Sequence, residues 1–221
     1  MTYSTKWNET YKEGAQSSLW PWSDLVAFAM RHTPNRKSDF RVLELGTGMG
    51  ANVRFFNEEG MTYYGIDGSL HAINSLKERH PDISDNLALG DFTKDLVFPM
   101  QFDLIFDRAS IAHNTEQSIR QCLELVDKSL KPNGKFIGIH WFSDACSDIS
   151  KGVPVKDEDS TLIFSETGFA GVGPVHFSNE NHIRDLFSDF EVEILEHSLT
   201  TRATPSEGWS LGLWNIVASK R

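Results

Sequence analysis

The chain has 221 residues, enough for one α/β domain and too few for two full ones. Its 39% hydrophobic content supports a sizeable core, while a net charge of −10, with no Lys/Arg run, argues against nucleic acid or an anionic membrane as a partner. Cys122 and Cys146 lack metal-ligand or redox-motif spacing, no apolar run reaches the ~20 residues of a membrane span, and the N-terminus has no signal-peptide pattern. A reducing, cytoplasmic setting is expected.

Residues 1–39 stand apart as an aromatic segment, with Trp7, Tyr11, Trp20 and Trp22 set among polar residues. Ser23 is expected to cap a helix that carries Leu25, Val26, Phe28 and Ala29 and ends at Pro34. Strand and helix then alternate. The pattern predicts strands over 41–45, 61–66, 86–89, 102–106 and 135–142, with helices between them over 51–59, after Ser69 and after Thr115. Residues 143–177 lose the pattern and read as a long polar insertion, a length at which loops are usually functional. Ser178 is expected to cap a further helix, and 190–196 with 209–218 read as a closing strand pair.

The densest signal is Val42-Leu43-Glu44-Leu45-Gly46-Thr47-Gly48-Met49-Gly50. An apolar strand breaks into a glycine turn and opens a helix, whose free N–H groups are expected to face a ligand. Glu44 adds a negative charge beside that turn, which repels phosphate and attracts an ammonium or sulfonium. Asp67, Asp91 and Asp107 fall at the ends of the next three strands. In a parallel sheet covered on both faces, the crevice at the carboxyl ends is where ligands bind.

With Glu44–Gly50, Gly65-Ile66-Asp67, Gly90-Asp91-Phe92, Phe102–Asp107 and the turn Leu130-Lys131-Pro132-Asn133-Gly134-Lys135, the chain resembles the class I S-adenosylmethionine-dependent methyltransferases. The resemblance implies one domain over 1–221, a doubly wound Rossmann-like sheet of seven strands in the order 3-2-1-4-5-7-6 with the last strand antiparallel. Residues 1–39 become a helical lid and 143–177 the opposite wall of an acceptor pocket. It implies that Glu44 and the loop Gly46, Thr47, Gly48, Gly50 hold the amino-acid end of the cofactor. Asp67 and Gly68 take the ribose, Asp91 and Phe92 the adenine, and Asp107 lies under the methyl group. Tyr11, Trp20, Trp22, His140 and Trp141 are candidate pocket residues.

A methyl acceptor bound as O–H or protonated amine needs a base. Asp107 and His113 are the candidates nearest the fourth strand end; His113 equally suits a simple turn, and His140 a satisfied core position. His176 and His182 are weaker. The residues Asp107-Arg108-Ala109-Ser110 lack the Pro-Pro signature of adenine and glutamine amino-methylation, no metal-ligand cluster is evident, and a small-molecule O or N acceptor is expected. Two alternatives stay open: a catalytically silent cofactor-binding subunit, and an NAD-dependent dehydrogenase, since Gly46-x-Gly48-x-x-Ala51 also satisfies the dinucleotide pattern.

Overall fold

The computed structural model describes residues 6–34, 36, 39–205 and 208–221. Two helices, α1 (Lys6–Lys12) and α2 (Ser23–His32), precede the alternating part. There follow β1 (Arg41–Leu45), α3 (Val53–Glu58), β2 (Thr62–Asp67), α4 (Leu70–Arg79), β3 (Leu87–Leu89), β4 (Phe102–Arg108), α5 (Glu116–Ser129) and β5 (Leu130–Phe142). Then come β6 (Val153–Val155), β7 (Glu158–Ile163), β8 (Val175–His176), α6 (Glu180–Leu186), β9 (Phe190–Thr201) and β10 (Ser210–Lys220).

The main sheet has seven strands in the order β3-β2-β1-β4-β5-β10-β9, with β10 antiparallel to both of its neighbours. This is the expected 3-2-1-4-5-7-6 order. Its central strands β1 and β4 are buried along nearly their whole length because successive side chains point to opposite faces and both faces are covered there. Leu43, Ile105 and Phe136 pack with Ile119, Cys122, Leu123 and Val126 of α5. Their neighbours Val42, Leu104 and Ile137 pack on the other face with Leu25 and Phe28 of α2 and Phe56 of α3.

Local signals hold at several ends. Ser69 accepts from the Ala72 N–H at 3.1 Å and Thr115 from the Ser118 N–H at 3.3 Å, each satisfying a helix-terminal donor. Two expected caps fail. Ser23 is the first residue of α2 and Trp22 precedes it with no side-chain cap. Asn179, not Ser178, caps α6, accepting from the His182 N–H at 3.0 Å. A short polar residue is interchangeable at this level of pattern, so the sequence leaves the choice open by one position.

The 143–177 segment is also more ordered than its polarity suggested. Strands β6, β7 and β8 form a small antiparallel sheet, and Phe142, Leu162, Phe164, Val175 and Phe177 form a third apolar cluster beside it. Its strands run only two to six residues, too short for periodicity to register. Glu158 pins it to α5, accepting from the Glu116 N–H at 2.8 Å, where a carboxylate complements the helix terminus. Cys146, expected in a polar loop, is buried with its Sγ 3.3 Å from the Gly212 carbonyl.

Candidate active site

The carboxyl ends of β1, β2 and β4 open into a cavity of about 650 Å³. This falls within the range of small-molecule sites. Its floor is the glycine turn. Gly46 has φ +80° and Gly48 φ +50°, the left-handed region in which a side chain is strained. A Cβ on Gly48 would lie 3.0 Å from the Tyr11 hydroxyl, so α1 lies directly over bare backbone.

Four N–H groups of this turn are spent inside the protein. Gly46 and Thr47 N–H both donate to the Ile66 carbonyl (2.8 and 3.2 Å), Gly48 N–H to Asp67 Oδ2 (2.7 Å) and Gly50 N–H to the Thr47 carbonyl (2.9 Å). A pyrophosphate needs outward-facing donors. Those four groups are therefore not among the donors open to a ligand.

The cavity is instead acidic. Glu44 is 2% exposed, with Oε1 accepting from Asn52 Nδ2 at 2.8 Å and Oε2 from the Tyr63 hydroxyl at 2.5 Å. Burial, aided by the charges of Asp67 and Asp107, pushes its pKa up to about 8. Asp67, at the tip of β2, accepts from the Ser69 and Gly48 N–H groups, and burial raises its pKa to about 6. Asp91 accepts from the Thr93 hydroxyl and N–H and lies 3.5 Å from the Lys94 ammonium. Buried carboxylates held short of full ionisation call for a cation. Gly68, Gly90 and Phe92 complete this end of the wall.

Asp107 is placed otherwise. It is 0% exposed and does not line the cavity. Its Oδ2 accepts from the Ser110 and Ile111 N–H groups, both at 3.0 Å, and its Oδ1 from Trp141 Nε1 at 2.8 Å. The expected catalytic and methyl-contacting role is thus corrected: Asp107 fixes the turn after β4. Trp141, its partner, is 1% exposed and belongs to the core rather than the pocket. Its position follows from His140, whose φ of +61° bends β5.

His140 is also outside the cavity lining. Its Nε2 lies 3.0 Å from Asp24 and its Nδ1 3.1 Å from Arg108 Nη2. Arg108 does line the cavity, with its guanidinium 3.8 Å from the centre of the Trp22 ring. Trp20 is 68% exposed and off the cavity, under Arg54. Tyr11, Trp22 and His113 are where expected, on its wall. His176 is buried against the Thr161 hydroxyl, and His182 pairs with Glu116, both away from the cavity.

Sequence reasoning missed Asn52, Tyr63 and Ser110, which hold Glu44 and Asp107, and the wall residues Trp7, Asn114 and Phe169. Asn52 and Tyr63 leave a faint signal, polar groups inside apolar runs. Ser110 and Phe169 leave none, since only the fold brings them in.

The doubly wound sheet thus carries an acid-lined crevice at its strand ends. Residues 42–134 match the family model of the methyltransferase domain. The chain is 30% identical over 102 residues to a phosphoethanolamine N-methyltransferase of Plasmodium falciparum, covering 44% of this chain and 37% of that protein. It therefore spans little more than a third of the curated relative's length. Among solved structures it is similar to an S-adenosylmethionine-dependent methyltransferase of Methanosarcina mazei (TM-score 0.68, 15% identity, 91% of this chain, 99% of that one). It is also similar to the 1,6-didemethyltoxoflavin-N1-methyltransferase of Burkholderia thailandensis with bound 1,6-didemethyltoxoflavin and S-adenosylhomocysteine (TM-score 0.70, 15% identity, 98% of this chain and 86% of that one). The likeness to a methyltransferase domain lies in residues 42–134, and the solved structures share the fold of the whole sheet. Among the described residues no helix is long and apolar enough to cross a membrane, and no three His, Cys, Asp or Glu side chains are grouped to hold a metal.

Proposed function

We propose that the protein transfers a methyl group from S-adenosylmethionine to an O or N atom of a small molecule, in the cytoplasm. The observation that carries this reading is the buried pair Glu44 and Asp67 at the carboxyl ends of β1 and β2, acids on the cavity wall that suit a cation better than a pyrophosphate. When bound, the cofactor supplies an already activated methyl group, so the protein's work is binding, orientation and exclusion of water.

The residues fit those tasks. Asp67 keeps lone pairs beyond its two backbone bonds to accept from ribose hydroxyls. Asp91 and Phe92, both on the cavity wall, are the residues this reading assigns to the adenine. Glu44 faces the amino-acid end through its negative charge, and the link Glu44–Asn52–Trp22 N–H (3.2 Å for the last bond) ties that acid to the segment before α2. Helix α1 closes the other side through Asn8, whose Oδ1 accepts from the Ser69 hydroxyl and the His71 N–H, both at 3.0 Å. In this reading α1 and the segment before α2 serve as the lid and 143–177, through Phe169 and Val172, as the facing wall.

The test is transfer itself. Protein incubated with methyl-labelled cofactor and pooled small amines, alcohols and phenols is expected to move label into a small molecule with matching release of S-adenosylhomocysteine. Cofactor binding with no transfer to any pool would favour the silent-subunit alternative.

A further inference from the structure

This inference rests on the methyl-transfer reading and names the atom that receives the methyl. Among the described residues, five buried side-chain polar atoms have no hydrogen-bond partner. Two of them, His113 Nδ1 and Asn114 Oδ1, sit on adjacent residues in the turn between β4 and α5, and both residues line the cavity. A buried polar atom without a partner is costly, so a neighbouring pair needs a reason.

The chemistry of both atoms is settled by their neighbours. Asn114 Nδ2 donates to the Ser110 and Ile111 carbonyls at 3.3 and 3.1 Å, so the atom left over is the carbonyl oxygen. The His113 ring lies beside the Pro174 carbonyl, which can only accept, and since Nδ1 has no partner the nitrogen turned to it is Nε2. The bonded ring nitrogen therefore carries the hydrogen, and Nδ1 presents a bare lone pair. Around them stand rings: Trp7 and Phe142 lie edge-on to His113 at 5.2 and 5.5 Å, and Phe169 stands 5.0 Å from Phe142. The one Lys or Arg among the described lining residues, Arg108, is already held by Asp24 at 3.3 Å.

We propose that the methyl acceptor is a neutral amine on an apolar or aromatic body, its N–H hydrogens taken by His113 Nδ1 and Asn114 Oδ1. Two acceptor atoms match the two hydrogens of a primary amine and leave the nitrogen lone pair free. A hydroxyl offers one hydrogen; a carboxylate or ionised phosphate offers none and meets two lone pairs. The lone pair forms the N–C bond as the methyl C–S bond breaks, with that electron pair staying on sulfur. The product is a methylammonium, which passes its surplus proton to water. His113 serves as a hydrogen-bond acceptor and not as a proton store, because burial holds its pKa down to about 4. Both atoms are shielded from water, so α1, with Trp7 against the His113 ring, must shift to admit the amine.

The test uses matched pairs, aniline with phenol and benzylamine with benzyl alcohol, scored by S-adenosylhomocysteine release from the full chain at pH 8. Turnover of the amine in each pair is expected to exceed that of its hydroxyl partner up to about 100-fold, the scale of one buried acceptor left unpaired. His113→Phe keeps a ring in the wall and is expected to lower amine turnover at least about 10-fold, with S-adenosylhomocysteine affinity unchanged. If that variant does not fold, a crystal of the wild-type S-adenosylhomocysteine complex soaked with benzylamine decides: the amine on Nδ1 and Oδ1 supports the proposal, and water or a protein donor there overturns it. Preference for the hydroxyl members, or no turnover of either set while S-adenosylhomocysteine binds, also overturns it. Failure to bind S-adenosylhomocysteine sinks the underlying methyl-transfer reading instead.

Discussion

Gly46→Ala is expected to destabilise the protein by about 2–5 kcal/mol and to abolish measurable cofactor binding. Two costs add. The φ of +80° charges any L side chain about 1–2 kcal/mol. The new Cβ would lie 2.4 Å from Ser110 Cβ, and overpacking of that kind costs about 1–3 kcal/mol. Ser110 cannot give way, since its N–H is held by Asp107 at 3.0 Å and its hydroxyl by both Asp107 and the Leu45 carbonyl. Gly60→Ala is the control. Its φ is +71°, yet nothing lies within 4 Å of the added Cβ, so only the backbone cost of about 1–2 kcal/mol should appear. Urea denaturation of the two variants separates the terms. Equal losses would show that the contact between the glycine turn and the turn after β4 is not as described.

The second large effect is on pH. Glu44, with its pKa raised to about 8 by burial, binds a proton in the folded state that the unfolded chain has released. Such a group stabilises at low pH and loses that contribution as pH rises towards 8. Asp67 and Asp107, raised to about 6, act in the same direction but over a lower window. There they are opposed by His113 and His176, whose pKa values burial lowers to about 4, so that stability rises with pH up to the ordinary histidine value near 6.5. Above that value Glu44 dominates. The ligand-free protein is therefore expected to lose roughly 2 kcal/mol between pH 6.5 and 8, about 4–8 °C in melting temperature. Saturating S-adenosylmethionine should shrink the loss, because a cation favours the ionised carboxylate, and its stabilising increment should grow with pH. Glu44→Gln should flatten the ligand-free profile. A rising profile in this window, or an unaltered one in the Gln variant, would mean that Glu44 is ionised without the cofactor.

Much of this was legible in the chain because two physical signals were strong. Long apolar strands alternating with 3.6-period helices specify a doubly wound sheet, and acids at strand tips mark its ligand edge. Asp67 and Asp91 line the cavity as those signals implied. Asp107 shows where the signal stops. Being at a strand tip does not say whether a carboxylate faces the crevice or the core, and here Trp141 and Ser110 draw it inward. Trp20 and Trp22 show the same limit two residues apart, one exposed on the surface and the other on the cavity wall beside Arg108. Neither periodicity nor motif carries that distinction; the path of the backbone before α2 does. The unpaired acceptors of His113 and Asn114 are likewise invisible in sequence, since they are defined by which partners are absent.

The central claim is that the acids around the glycine turn hold a sulfonium nucleoside. Calorimetric titration of the wild-type protein and Asp67→Ala with S-adenosylmethionine, S-adenosylhomocysteine and NAD tests it most directly. We expect saturable binding of both sulfur nucleosides, none of NAD, and a loss of about 1–3 kcal/mol of affinity in the variant. Binding of NAD without the sulfur nucleosides, or an unchanged affinity in Asp67→Ala, would contradict it.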